Sequence, residues 1–466
     1  MSRESAVSRA TRHFDEGAFI ETLARRVAIR TESQIPESHP HLTTYLVDEL
    51  QPAFERMGFE VAVHPNPVPG TGPILVAERF EGTGLPTVLA YGHGDVIRGL
   101  ADQWRDGLDP WVLKQEGDRY YGRGSADNKA QHSINMAALE TVIAERGRLG
   151  FNAKFLVETG EEMSSPGLAA FCRANREALK ADVLIASDGP RLQAGRPTVY
   201  LGSRGALNML FSVDLRDGAH HSGNWGGLLA NPGVILAHAL ASIVDRNGKV
   251  LVRDLLPKEI PPSTRRALED CPVEPGEGEP SVDDGWGEPG FSRAEKVFGW
   301  NTFEILAFRT GNPDNPVNAI PGKATATCQI RFVVGTDPDA FIPTLRRHLD
   351  ANGYGMVKVD MARKSFMQAT RLDPDNPWVQ WAVESIRRTI GTKPAILPNL
   401  GGSLPNDVFA DILALPTIWV PHSYAGCSQH APDEHVLAPI LREGLQMMTG
   451  LFWDLGAQDI PGRATA

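Results

Sequence analysis

The chain has 466 residues, of which 46 are Lys or Arg and 57 are Asp or Glu, a formal charge of −11 with histidine neutral. At roughly 150 residues per domain, that length predicts two or three domains. Hydrophobic residues at 42% and charged ones at 22% exclude wholesale disorder, and the acidic balance with no polybasic run argues against a phosphate-tracking nucleic-acid binder.

Met1 to Gly17 mixes Arg3, Arg9 and Arg12 with Glu4, Asp15 and Glu16 and has no apolar core, so a secretory signal is not expected. Gly17 to Thr31 and His41 to Gly58 carry apolar residues at helical spacing. Up to about Asp188, strand-like runs (Glu60 to His64, Ile74 to Phe80, Thr87 to Ala90, Ala153 to Val157, Val183 to Ala186) are then interspersed with helix-like ones (Asn128 to Arg146, Leu168 to Leu179). This predicts an α/β fold, a mostly parallel sheet covered by helices on both faces, with ligands gathering at the carboxyl ends of its strands.

After Arg204 the grammar changes. Ala206 to Asp214 reads as a strand, Gly233 to Asp245 as a helix, Thr302 to Arg309 and Thr325 to Val334 as strands, Ala340 to Ala351 as a helix and Val357 to Ala362 as a strand. The β-α-β-β-α-β order predicts an inserted α+β domain over 204–372, splitting a first domain into 1–203 and 373–466. Pro272 to Gly290 reads as a surface loop of the insertion, and Trp378 to Ile390 as a helix of the resumed first domain. The longest apolar stretch, Gly233 to Val244, is far short of the roughly 20 residues that span a bilayer. Cys172, Cys271, Cys328 and Cys427 are widely spaced with no C-x-x-C pair, and read as reduced thiols of a cytoplasmic protein.

Five short segments place carboxylates and histidines at strand ends or in loops. They are Tyr91-Gly-His-Gly-Asp-Val96, Gly122-Arg-Gly-Ser-Ala-Asp-Asn-Lys129, Phe155-Leu-Val-Glu-Thr-Gly-Glu-Glu162, Ile185-Ala-Ser-Asp-Gly189 and His430-Ala-Pro-Asp-Glu-His435. Each alone has an ordinary structural reading: His93 as a core histidine turned by its flanking glycines, Asp127 as a helix N-cap. Together they put His93, Asp127, Glu162, Asp188 and His430 on one rim of one sheet. Mixed imidazole and carboxylate donors without cysteine suit an open catalytic zinc site, with manganese or cobalt as alternatives. Five ligands are one too many for a single tetrahedral ion, and a carboxylate shared between two ions would use them all.

These motifs, in this order and with an insertion between them, resemble the di-zinc metallopeptidase family of carnosine dipeptidases, glutamate carboxypeptidase, aminoacylase, acetylornithine deacetylase and succinyl-diaminopimelate desuccinylase, over about residues 17 to 455. The resemblance implies a fold of the di-zinc exopeptidase type with the insertion as lid and dimerisation domain. It implies two divalent ions per subunit, with Asp127 bridging them, His93 and Asp188 completing one shell and Glu162 and His430 the other. Glu161 would be the general base, Asp95 the support of His93, and the Asp127-Asn128 peptide cis.

In the insertion, Gly218-Ala-His-His-Ser-Gly223 resembles the dipeptidase branch, whose histidine before Ser-Gly reaches the neighbouring subunit's site; His221 has that position and would stabilise an oxyanion. His220, one residue out of register, reads as structural. Asn318 and Arg331 match lid residues that hold a substrate carboxylate, and Gly402 and Ser403 in Gly401-Gly-Ser403 match a substrate loop. For Arg331 a plain surface arginine is an equal alternative, and for the loop a plain turn.

The implied activity is hydrolysis of an amide bond in a small substrate with a free carboxylate, dipeptidase-like because Asp rather than Glu stands at 188. The runner-up is an N-acyl-amino-acid hydrolase of deacetylase or desuccinylase type, to which His430 to Glu434 is also close. A non-catalytic binding protein on the same fold is disfavoured, since no ligand position is lost. Expected partners are the small substrate and a second copy of the chain, with no nucleic acid and no membrane.

Overall fold

The computed structural model describes residues 2–275, 280–362, 366–456 and 460–461. Two sheets organise it. The larger uses β1 (Glu60–His64), β2 (Ile74–Arg79), β3 (Thr87–His93), β4 (Asn152–Glu158), β5 (Val183–Ala186), β6 (Thr198–Tyr200) and two strands from the far end of the sequence described below. The smaller is built from β7 (Gly205–Asp214), β8 (Thr302–Thr310), β9 (Lys323–Phe332) and β10 (Lys358–Met361). β11 (Ala395–Leu397) and β12 (Thr417–Trp419) then return to the larger sheet, whose order is β1-β2-β4-β3-β5-β12-β6-β11. Its centre, β4-β3-β5-β12, is parallel, while β1 and β2 pair antiparallel at one edge. β4 and β5 are buried at every residue and β3 at all but its first, as continuous apolar runs in a two-sided parallel sheet must be.

Helices cover that sheet: α1 (Arg3–Asp15), α2 (Ala18–Ala28), α3 (Lys129–Arg146), α4 (Leu168–Ala174) and, after the small sheet's pair α5 (Pro232–Ala241) and α6 (Phe341–Ala351), α7 (Pro377–Ile390) and α8 (Ala438–Leu455). α3 is buried from Lys129 to Leu139 without interruption, because α1, α2 and α8 pack around it. Asp454 on α8 accepts hydrogen bonds from Arg3, Ser385 and Arg388, tying α1 and α8 to α7. No helix among the described residues is long and apolar enough to cross a membrane, and all four cysteines are buried and unpaired.

The small sheet has the order β8-β9-β7-β10, all antiparallel, with α5 and α6 as the crossovers of a split βαβ sandwich. β9 alternates without a break: Ala324, Ala326, Cys328, Ile330 and Phe332 are buried, while Gln329 and Arg331 point to the other face. β8 is an edge strand with Ile305, Leu306 and Phe308 exposed.

Several expected elements are shorter or were not anticipated. The helix expected over Leu168 to Leu179 ends at Ala174, where the Asn175 side chain donates to the Phe171 carbonyl at 2.9 Å and closes the last turn. The one expected over Gly233 to Asp245 ends at Ala241, with Ser242 Oγ bonded back to Ala239. α1 was not anticipated because its inward face, Ala6 and Ala10 followed by Phe14, is made mostly of small residues. Residues 276–279 of the expected loop Pro272 to Gly290 lie outside the described residues.

The two connections between the sheets run side by side. Leu372 N donates to Leu201 O at 2.7 Å, Thr370 N to Ser203 O at 3.0 Å, and Leu400 N to Gly202 O at 2.8 Å. Gly202 sits where these backbones converge, and a Cβ there would strike the Thr370 backbone and come 2.9 Å from the Arg371 Cα. Gly202→Ala is therefore expected to lower unfolding free energy by about 1–3 kcal/mol, because three backbones must part. Urea unfolding followed by circular dichroism checks this; an unchanged midpoint would show that the crossing has slack.

Candidate metal centre

β4, β3 and β5 lie side by side and deliver their chain ends to one rim: β3 ends on His93, β4 leads through Gly160 into a single 3₁₀ turn carrying Glu161 and Glu162, and β5 leads to Asp188. Neither glycine flanking His93 has a positive φ, so the turning role expected of them is not what they serve. They allow close packing: a Cβ at Gly94 would lie 2.7 Å from the Tyr45 ring, and one at Gly92 would meet His132.

Asp127 occupies the centre. It precedes α3, its peptide bond to Asn128 is cis, and its carboxylate makes no capping bond. Its oxygens diverge instead: Oδ1 lies 3.0 Å from His93 Nε2 and Oδ2 lies 3.0 Å from His430 Nε2. His93 Nε2 is also 3.7 Å from Asp188 Oδ2, and His430 Nε2 is 3.0 Å from Glu162 Oε2. Two trios result, His93-Asp127-Asp188 and Asp127-Glu162-His430, with the donor atoms of each within 4.8 Å of one another. The first trio is buried, while His430 is half exposed at the rim and held at φ +60.

These residues fit divalent ions. Asp188 Oδ2 is buried without a hydrogen-bond partner among the described residues. Burial, with the Asp127 charge beside them, pushes Glu162 up to about 7 and Asp188 up to about 6 against the pull of the histidines. A cation relieves that crowding of like charge, and the imidazole and carboxylate donors are those zinc accepts.

Glu161 belongs to neither trio but faces the same cavity of about 430 Å³ together with Asp127, Asp188 and His430. Burial, reinforced by Asp188 and Glu162, holds its carboxyl well above the usual range. Asp95 contributes twice. Its carbonyl accepts from His93 Nδ1 at 3.1 Å, turning Nε2 toward the site. Its carboxylate lies 3.4 Å from the same Nδ1 and accepts the Glu161 and Glu162 amides, each at 3.2 Å, a role not anticipated from its spacing.

Arg331, Gly402 and Ser403 line this cavity, with Arg331 Nη1 donating to Ser403 Oγ at 3.0 Å. His221 and Asn318 do not line it. Both are exposed, His221 in a two-strand ladder with Ala319 and Asn318 just before that strand, where Ser222 N donates to Asn318 O at 2.8 Å and Gly223 N to His221 Nδ1 at 3.2 Å. His220 packs edge-on against Trp225.

Three positioning residues escaped the sequence reading. Glu434 is buried, accepts from Arg123 Nη1 at 2.6 Å and from the amides of Gly124, Ala126 and Asp127 at 2.9–3.1 Å, and so clamps the Asp127 loop. Gln429 donates to Asp127 Oδ2, and Gln131 joins three loops through Ala126 O, Gly189 O and His422 N. Glu434 and Arg123 both stand inside the motifs above, so an unassigned buried-type charge in each was the available signal.

The geometry defines a metal-dependent hydrolase with an imidazole-carboxylate centre at the carboxyl rim of a parallel sheet. The model of peptidase family M20/M25/M40 matches residues 89–454, and the chain belongs to that family, as a metal-dependent peptidase. It is 27% identical over 358 residues to a cysteinylglycine-S-conjugate dipeptidase of Corynebacterium striatum, covering 75% of this chain and 76% of that one. It is 26% identical over 478 residues to the Beta-Ala-His dipeptidase of Homo sapiens, covering 95% and 90%. The solved structure of a di-peptidase from Saccharomyces cerevisiae superposes with a TM-score of 0.75 at 20% identity, covering 98% of this chain and 99% of that one, a likeness of fold.

Removing the Glu434 charge leaves Arg123 buried and unpaired. Glu434→Gln is expected to cost roughly 3–5 kcal/mol in chemical denaturation. A loss under about 1 kcal/mol would show that the clamp is not what holds the Asp127 loop.

Proposed function

We propose that the chain is a dipeptidase-type amidohydrolase that cleaves an amide bond in a small substrate bearing a free carboxylate. The observation that carries this is the divergent Asp127 carboxylate, one oxygen toward each trio, with Glu161 outside both. In this reading His93, Asp127 and Asp188 hold one divalent ion and Asp127, Glu162 and His430 a second, most suitably zinc. When bound, such ions polarise the scissile carbonyl and acidify a water.

The chain's own residues do the rest. Glu161 takes the proton of the attacking water and passes it to the leaving amine, a role suited to a carboxyl whose basicity burial has raised. Asp95 fixes the Glu161-Glu162 backbone, so base and ligand keep a constant offset. Arg331, steadied by Ser403, holds the substrate carboxylate, and Gly402 leaves the adjoining wall open. Residues 204–372 act as lid and dimerisation domain between the catalytic segments 1–203 and 373–466. The exposed apolar edge at Ile305, Leu306 and Phe308 supports pairing there, and through it the partner's His221, with Asn318 beside it, reaches the site to hold the oxyanion. Four buried, unpaired thiols support a cytoplasmic location.

Turnover of dipeptides, compared with N-acetyl, N-succinyl and N-carbamoyl amino acids, tests the reading; turnover confined to the acylated compounds moves it to a deacetylase or desuccinylase. Glu161→Gln is expected to retain bound metal by elemental analysis and lose a factor of about 10²–10⁴ in kcat, and wild-type kcat would place the base elsewhere. His221→Ala should lower kcat at constant metal content. Mixed with Glu161→Gln it should regain activity in hybrids, since one hybrid site then has both groups; verified hybrids without recovery would mean that His221 serves its own chain.

A further inference from the structure

A second cavity of about 780 Å³ adjoins the metal cavity, and Arg331 and Ser403 stand on the wall between them. One side is the polar face of the small sheet, where Gln329 Nε2 donates to Asn208 Oδ1 at 2.7 Å and Gln329 Oε1 accepts from Arg331 Nε at 2.9 Å. Met163 and Phe366 supply apolar wall. Among the described residues lining it, Arg331 and Asp407 are the two that carry charge.

The two charges are in different situations. Arg331 is oriented by Gln329 and Ser403 at the boundary with the metal cavity. Asp407 is half-buried, and no cation among the described residues offsets it: burial and the neighbouring Asp411 push its carboxyl up to about 6. A half-buried carboxylate on a cavity wall is stabilised when a cationic group enters and pairs with it. Ser403 and Asp407 are four residues apart, so their Cα atoms are separated by at most about 14 Å.

Arg331 borders both cavities, so the Cα of a residue whose carboxylate it holds, one bond from that carboxylate, would stand near the opening between them. The larger of the two spaces open to its side chain runs along the amides and past Met163 and Phe366. An aliphatic stem suits that passage, and a terminal ammonium or guanidinium suits its far end. Resting on the dipeptidase reading above, we propose that this cavity receives the side chain of the carboxylate-bearing residue, and that Asp407 selects a basic one, as in lysine, ornithine or arginine.

The test uses the metal-loaded full chain with glycyl-lysine, glycyl-norleucine and glycyl-glutamate. The expected result is a kcat/KM at least tenfold higher for lysine than for norleucine, carried mainly in KM, with glutamate lowest. Asp407→Asn should bring the lysine-to-norleucine ratio to within about threefold of one, and Asp407→Lys should turn the order toward glutamate. Thermal melting shows whether the variants fold, and the wild-type ratio decides without them. Equal turnover of all three dipeptides overturns the selectivity while leaving the dipeptidase reading intact. If only acylated compounds react, that reading fails, and N-acetyl derivatives of the same three amino acids put the question to the same pocket. No turnover of any of them overturns both.

Discussion

The structure depends on keeping one carboxylate, Asp127, fixed between two histidines in a buried and strongly acidic rim. His93 and His430 each approach one of its oxygens at 3.0 Å, and they hold its carboxyl well below the usual range although burial acts in the opposite sense. Everything around it serves that placement. Glu434 gathers the loop amides on one side, Gln131 pins the loop to its neighbours, and the cis Asp127-Asn128 peptide connects it to α3, itself enclosed by helices.

Around this fixed point, neighbouring carboxylates are sorted by backbone rather than by their own side chains. Glu161 and Glu162 are adjacent, yet one enters a ligand trio and the other does not, because Asp95 grips both amides and sets the 3₁₀ turn that splays them. In the proposed function this turn of three residues sets the ligand and the base side by side.

Period and composition made much of this legible. β4 and β5 are continuous apolar runs of the larger sheet, and β9 alternates over its whole length within the β-α-β-β-α-β order of the smaller one. The carboxylates and histidines at strand ends were visible for the same reason, as polar residues closing apolar runs. What stayed hidden depends on contacts distant in sequence. α1 buries small alanines that make only a faint apolar stripe, and the glycines around His93 are explained by the Tyr45 ring and His132, which only the fold brings there. Glu434 meets Arg123 across 311 positions, and no local pattern announces such a pair. His221 and Asn318 were found by their motifs, but their distance from the metal cavity is a property of the folded insertion.

The clamp between Glu434 and the Asp127 loop also has a bearing on synthesis. Asp127 and His430 are 303 residues apart, so at roughly 5–20 residues per second the acidic rim waits about 15–60 s on the ribosome for the segment that completes it. During that interval the strands of both sheets can assemble, but the loop that carries Asp127 has neither its histidine nor its anchoring glutamate. A chain stopped short of residue 430 would contain the residues of one trio but lack the histidine of the second, together with α8, which packs against α1, α3 and α7. Completion of the centre is thus tied to synthesis of the segment that carries His430 and Glu434, about 300 positions after the loop it closes.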